Sequence, residues 1–169
     1  MSRINDLIRA GSVKRFHIVN TSRIQTLADH QYGVAVLAGE IASRLGLGGP
    51  AVASLVAAAI VHDSGESRSG DIPTPAKKKL RRAFGAKFDD LLAEFDVPMD
   101  VDALGRTIIK CADYLESMIF LEEHQVGRHA NAVMVDIMDD AGAFFGAAGE
   151  PGRISNQIWS EWQNARYEF

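Results

Sequence analysis

His30, the adjacent pair His62–Asp63, and Asp113 are the residues whose types and spacing suit metal chemistry. A lone histidine on an apolar helix is commonly a hydrogen-bonded core residue, and His17, His124 and His129 read that way. His62 differs because Asp63 follows it directly at the end of an apolar segment. A carboxylate there is costly to bury unless a cation or several donors offset it. Imidazole nitrogen beside carboxylate oxygen suits a borderline or moderately hard divalent ion with open positions for water and phosphate. Glu66 lies four residues after His62 and three after Asp63, on their face if the helix continues that far. It could then act in proton transfer. The alternative is an exposed carboxylate at a helix end, where the dipole disfavours it. Asp113 follows Lys110 by three residues inside an apolar run. The two are either a structural ion pair or a ligand and a cation sharing one pocket.

The elements that must position these groups read as helices. Ser2 caps a short first helix ending before Gly11, and an irregular stretch follows through Gln25. Thr26 with Asp29 resembles a capping box, and Val34, Leu37, Ala38, Ile41 and Leu45 recur at helical spacing until Gly46. Gly49–Pro50 starts a third helix, apolar nearly all round and therefore expected to be central and buried. Residues 67–74 form a loop, and Thr74–Pro75 opens a basic helix running to about Phe95. A fifth helix spans about Val101 to His124, and a sixth, after Gly127, spans Ala130 to Phe145. Gly146 to Gly152 is a turn before a last helix capped by Ser155 and carrying Trp159 and Trp162. Alternating β-type patterns are absent. The expected fold is all-α, a single compact bundle of about seven helices over residues 1–169.

Composition narrows the setting. The chain is 47% hydrophobic and 24% charged, which is ordinary for a globular protein. No apolar run reaches the roughly 18 residues that span a membrane. No basic region followed by an apolar one opens the chain, so no secretory signal is expected. The single cysteine, Cys111, excludes an intramolecular disulfide and points to a reducing, cytoplasmic setting. A net charge of −4 argues against nucleic acid as a partner. Lys77, Lys78, Lys79, Arg81 and Arg82 nevertheless form a local basic cluster, either a solvated helix face or an anion site.

The order His30, His62–Asp63, Asp113 resembles the signature of the HD-domain phosphohydrolase superfamily. The stretches Arg15-Phe16-His17, Leu27-Ala28-Asp29-His30, His62-Asp63-Ser64-Gly65-Glu66, Gly70-Asp71-Ile72-Pro73-Thr74-Pro75 and Lys110-Cys111-Ala112-Asp113 are similar to two small subfamilies within it. One comprises bacterial 5′-deoxyribonucleotidases, which act on deoxynucleoside monophosphates. The other comprises compact phage dATP triphosphohydrolases, which release triphosphate from dATP. The likeness runs from residue 3 to about residue 125.

The resemblance implies that His30, His62, Asp63 and Asp113 hold the metal, with Asp63 and Glu66 in the catalytic role and Glu66 activating the attacking water. It implies that Arg15 binds substrate phosphate, through a planar donor fork suited to it. Asp71 matches a residue near the sugar 3′-hydroxyl. Phe16, where the nucleotidases commonly carry Trp, and Ile18 match positions flanking the sugar and base, with Ile18 favouring adenine over guanine. Lys77 and Lys110 match positions that the phage group uses for the phosphate tail. A triphosphate carries roughly four charges and needs such extra cations, so the resemblance favours triphosphate over monophosphate as substrate. A nucleotide-binding module without catalysis is the alternative of another class, disfavoured because every candidate ligand and Glu66 are present. Mg²⁺, Mn²⁺, Co²⁺ and Zn²⁺ all suit ligands of this kind. Both subfamilies form homo-oligomers, so self-association is expected, in the host cytoplasm if the gene is a phage's. Trp159, Trp162, Tyr167 and Phe169 serve either the core or a subunit contact.

Overall fold

Thr26 begins the helix that carries the first histidine. Its hydroxyl accepts from the Asp29 N–H, and the Asp29 carboxylate accepts from the Thr26 N–H in return, the reciprocal box expected from the sequence. The computed structural model describes residues 3–95 and 98–165. In chain order these form α1 (Arg3–Ala10), β1 (Lys14–Arg15), β2 (Gln25–Thr26), α2 (Leu27–Arg44), α3 (Gly49–Val61), the single turn α4 (Glu66–Ser69), α5 (Thr74–Phe84), α6 (Ala86–Ala93), α7 (Ala103–His124), α8 (Gly127–Ala147) and α9 (Glu150–Ala165). Ser2, Tyr167 and Phe169 lie outside the described residues.

The axis of the bundle is α2 against α7, with α3 on the flank of α2 and α8 and α9 closing over α7. Val34 and Ile41 from α2 share one core cluster with Ile108, Leu115 and Leu121 from α7, all fully buried. Each such side chain contributes about 1.5–3 kcal/mol on leaving water. The two helices that hold His30 and Asp113 are therefore the most firmly packed in the molecule.

The all-α expectation holds in outline and needs four corrections. The expected fourth helix is two, because Gly85 breaks it with φ +57, a backbone conformation costly for residues with a Cβ. That break gives eight helices of two turns or more among the described residues, besides α4, rather than about seven. Residues 14–15 and 25–26 form a small antiparallel ladder, Lys14 opposite Thr26 and Arg15 opposite Gln25. It is too short to show alternation in the sequence. Third, α3 is not central. It buries Leu55, Ala58 and Ala59, while Ala51, Ala53, Ala57 and Ile60 face out. An alanine-rich helix reads as apolar on every side without having bulk to bury. Finally, α9 begins at Glu150, and Ser155 lies inside it, its hydroxyl donating to the Pro151 carbonyl at 2.8 Å.

Trp159 is buried and stacks on Trp162 at 5.2 Å, which packs against the core, so these two serve the core. His17 and His129 are exposed rather than core residues, and His124 pairs with the Ser22 hydroxyl at 3.1 Å. No helix among the described residues is long and apolar enough to cross a membrane.

Candidate metal centre

Three elements deliver the four candidate ligands to one point. The buried face of α2 supplies His30, the turn after α3 supplies His62 and Asp63, and α7 supplies Asp113. One ligand atom from each lies within 4.8 Å of all the others, a clustering that no other His, Cys, Asp or Glu group among the described residues shows. His30 Nε2 stands 3.3 Å from Asp113 Oδ1 and 3.7 Å from Asp63 Oδ2, and His62 Nε2 stands 3.3 Å from Asp63 Oδ2.

The two imidazoles are anchored from behind. His62 Nδ1 meets the Ala59 carbonyl at 2.7 Å, and a carbonyl only accepts, so that nitrogen carries the proton. His30 Nδ1 meets Glu116 Oε2 at 2.5 Å in the same sense. Both Nε2 atoms are consequently turned inward, buried and without a hydrogen-bond partner. Each unsatisfied buried nitrogen costs about 1–3 kcal/mol. Two such nitrogens facing two carboxylate oxygens fit a divalent cation, which would satisfy all four.

Electrostatics agree with that fit. Burial and the Arg15 charge oppose a charged His30, yet the carboxylates of Asp113, Asp63 and Glu116 around it raise it to about 10. Burial opposes ionisation of Asp113 as well, but Lys110 and His30 hold its carboxyl well below the usual range. Asp63 behaves likewise, with His62 and His30 outweighing burial. The pocket is a trap for positive charge.

Glu66 sits at the rim. The α3 helix stops at Val61, so the continuous helical face expected from the sequence does not form. A tight turn replaces it, with Ser64 N–H donating to the Val61 carbonyl and Glu66 N–H to the Asp63 carbonyl. Glu66 Oε1 accepts from Lys77 Nζ at 3.4 Å, while Oε2 is buried without a partner. Burial and the charges of Asp63 and Asp71 raise its carboxyl to about 7, against the pull of Lys77 and Arg15. A cavity of about 350 Å³ opens here, lined by His62, Asp63, Glu66, Lys77, Arg81 and Asp89 among others.

The cations expected for phosphate fall around this centre. The short ladder holds Arg15 beside Gln25, and Arg15 reaches Glu116 at 3.2 Å and Asp113 at 3.9 Å. Lys110 Nζ donates to Asp113 Oδ2 at 2.6 Å, an i,i+3 ion pair that leaves Oδ1 facing His30. Phe16 stands beside Arg15 but stacks on Phe120, centroids 5.6 Å apart, and Ile18 is 56% exposed. Phe16 has φ +51, a conformation costing about 1–3 kcal/mol in a residue with a Cβ. Glu116 and Gln25 carry no role that the sequence signals, while Arg81 belongs to the basic cluster already noted there. The sequence marks Glu116 only as a carboxylate three residues after Asp113 within an apolar run.

The chain is similar to known proteins in sequence and in fold. The HD domain family matches residues 27–139. A dATP triphosphohydrolase of Salmonella phage PMBT28 is 36% identical over 135 residues, covering 75% of this chain and 69% of that one. A dATP triphosphohydrolase of Cyanophage S-2L is 32% identical over 136 residues, covering 78% and 77%. In three dimensions the fold matches the Cyanophage S-2L HD phosphohydrolase (DatZ) solved with dA and one catalytic Zn²⁺ ion, with a TM-score of 0.78, 24% identity, and 95% and 96% of the two chains covered. It also matches an HD-domain phosphohydrolase from Listeria innocua, with a TM-score of 0.62, 17% identity, and 94% and 84% covered.

Proposed function

The chain belongs to the HD domain family and is a metal-dependent phosphohydrolase, and on that premise we propose that it converts dATP and water to deoxyadenosine and triphosphate. The observation that carries this reading is the four-ligand cluster with Glu66 at its edge and a cavity leading out past Lys77 and Arg81. The phage relatives at 36% and 32% identity, both dATP triphosphohydrolases, support the choice of substrate.

In this reaction the bond between the α-phosphorus and the sugar O5′ breaks, and water supplies the oxygen that replaces O5′ on phosphorus. His30, His62, Asp63 and Asp113 would hold the divalent ion, which supplies Lewis-acid stabilisation of charge developing on the phosphoryl group. Zn²⁺ is the ion in the cyanophage relative, and Mg²⁺, Mn²⁺ or Co²⁺ would suit the same donors. Glu66, with a carboxyl near neutrality and one oxygen without a partner, takes the proton from the attacking water. Arg15 offers its guanidinium fork to the α-phosphate. Lys77, Arg81 and Lys110 meet the rest of the tail, exchanging carboxylate partners for phosphate oxygens. Asp71 lies close enough to influence Glu66 and is assigned to the sugar hydroxyl, with Phe16 and Ile18 beside the nucleoside.

A self-associated, cytoplasmic enzyme completes the proposal. Tyr32 and Val36, one turn apart on α2, are 73% and 53% exposed, an apolar strip suited to a second copy. Free, buried Cys111 suits a reducing compartment. A panel of dATP, dAMP, dGTP and ATP assayed with Zn²⁺ or Co²⁺ tests the substrate assignment. Turnover of dATP well above the others is expected, and turnover of dAMP alone would move the chain to the deoxyribonucleotidase reaction.

A further inference from the structure

Glu116 is 9% exposed and receives three donors. Its Oε2 meets His30 Nδ1 at 2.5 Å and Arg15 Nη1 at 3.2 Å, and its Oε1 accepts from Gln25 Nε2 at 2.5 Å. It lies behind His30, on the side away from Asp63 and Asp113, and does not join the four-ligand cluster. A buried carboxylate needs this many partners merely to be tolerated. The arrangement also determines which nitrogen of His30 faces the cluster.

Gly33 makes room for it. A Cβ at this position would lie 2.6 Å from Glu116 Cγ, so nothing larger than glycine fits while Glu116 stays in place. The backbone of Gly33 is ordinary helix with no positive φ, and glycine inside a helix costs about 1 kcal/mol relative to alanine. The missing side chain, rather than backbone freedom, accounts for the residue. His30 and Gly33 are spaced by three on α2, as Asp113 and Glu116 are on α7. The two pairs interlock where the helices cross.

We propose that Glu116 is a positioning residue for the metal centre, fixing His30 with Nε2 toward the ion and tethering Arg15 on the same carboxylate, and that Gly33 is the space this requires. The inference rests on the metal-centre reading above. Glu116→Gln keeps the shape but sets an amide N–H₂ among groups that are all donors. Gly33→Ala keeps the charge and displaces the carboxylate. Outer partners of metal-bound histidines typically govern affinity by about 10–100-fold.

The test is calorimetric titration of Co²⁺ into metal-free protein, alongside kcat measured from low to saturating Co²⁺. Both variants should bind Co²⁺ about 10-fold or more weakly with unchanged far-UV circular dichroism, and excess Co²⁺ should restore most of kcat. A merely structural role would lower the Tm and leave the Co²⁺ affinity of the folded protein unchanged, and that result overturns the proposal. Should Glu116→Gln fail to fold, Gly33→Ala decides alone. Absence of Co²⁺ binding by the unsubstituted chain would instead refute the metal-centre reading itself, so the two failures are distinguishable.

Discussion

Lys77 Nζ lies 3.4 Å from Glu66 Oε1. The cation assigned to the phosphate tail is therefore also the cation that eases ionisation of the proposed base. Lys77→Ala should raise KM for dATP severalfold more than KM for dAMP. It should also move the acidic limb of the kcat profile to higher pH, because losing Lys77 removes a charge that lowers Glu66. An unshifted limb together with a raised KM would separate the two roles and contradict their coupling.

The raised carboxyl of Glu66 has a consequence for stability. Its ordinary value is 4.5 and its folded value about 7, so the folded chain holds this proton more tightly. The corresponding stabilisation is fully present below pH 4.5 and is lost as pH rises through about 7. The span corresponds to ~3 kcal/mol at most. In thermal unfolding of metal-free protein, the Tm of Glu66→Gln relative to the unsubstituted chain should climb between pH 4.5 and 7 and level off above. A difference independent of pH would show that Glu66 titrates normally.

Removal of a ligand and removal of the base should part company. Asp63→Ala should lose both metal and turnover. Glu66→Ala should keep its metal, as read by elemental analysis, and lose about 10²–10⁴-fold in kcat. Full metal content in Asp63→Ala would refute its assignment as a ligand.

Metal uptake should release protons. His30, raised to about 10 by the carboxylates around it, is charged at pH 7 in the metal-free chain. Coordination requires neutral imidazole, so affinity should rise with pH until His30 loses its proton near pH 10. Calorimetry in two buffers of different ionisation enthalpy reads the proton count directly. Heats identical in both buffers would show that His30 is already neutral.

Much of this site was legible as residue type and spacing. A His–Asp pair ending an apolar helix, with Glu66 just beyond, is unusual enough chemically to stand out, and Thr26–Asp29 announces its helix by local hydrogen bonding. What stayed hidden depends on partners distant in sequence. Glu116 is 86 residues from His30, and only the crossing of α2 and α7 makes Gly33 necessary. The exposure of Ile60 follows from which face of α3 meets α2, which an alanine-rich run does not reveal. The turn at Gly85 interrupts a stretch whose composition favours helix on both sides. Only the family resemblance points to Arg15, and its seat between Gln25 and Glu116 depends on a ladder two residues long.

The most direct test of the central claim is the identity of the first products formed from dATP with Zn²⁺ or Co²⁺, resolved by anion-exchange and reversed-phase chromatography. Deoxyadenosine and triphosphate should appear in equal amounts from the earliest time, with no dADP or dAMP preceding them. Release of orthophosphate with dADP, or of pyrophosphate with dAMP, would contradict it, because either would place the cleaved bond away from the sugar O5′.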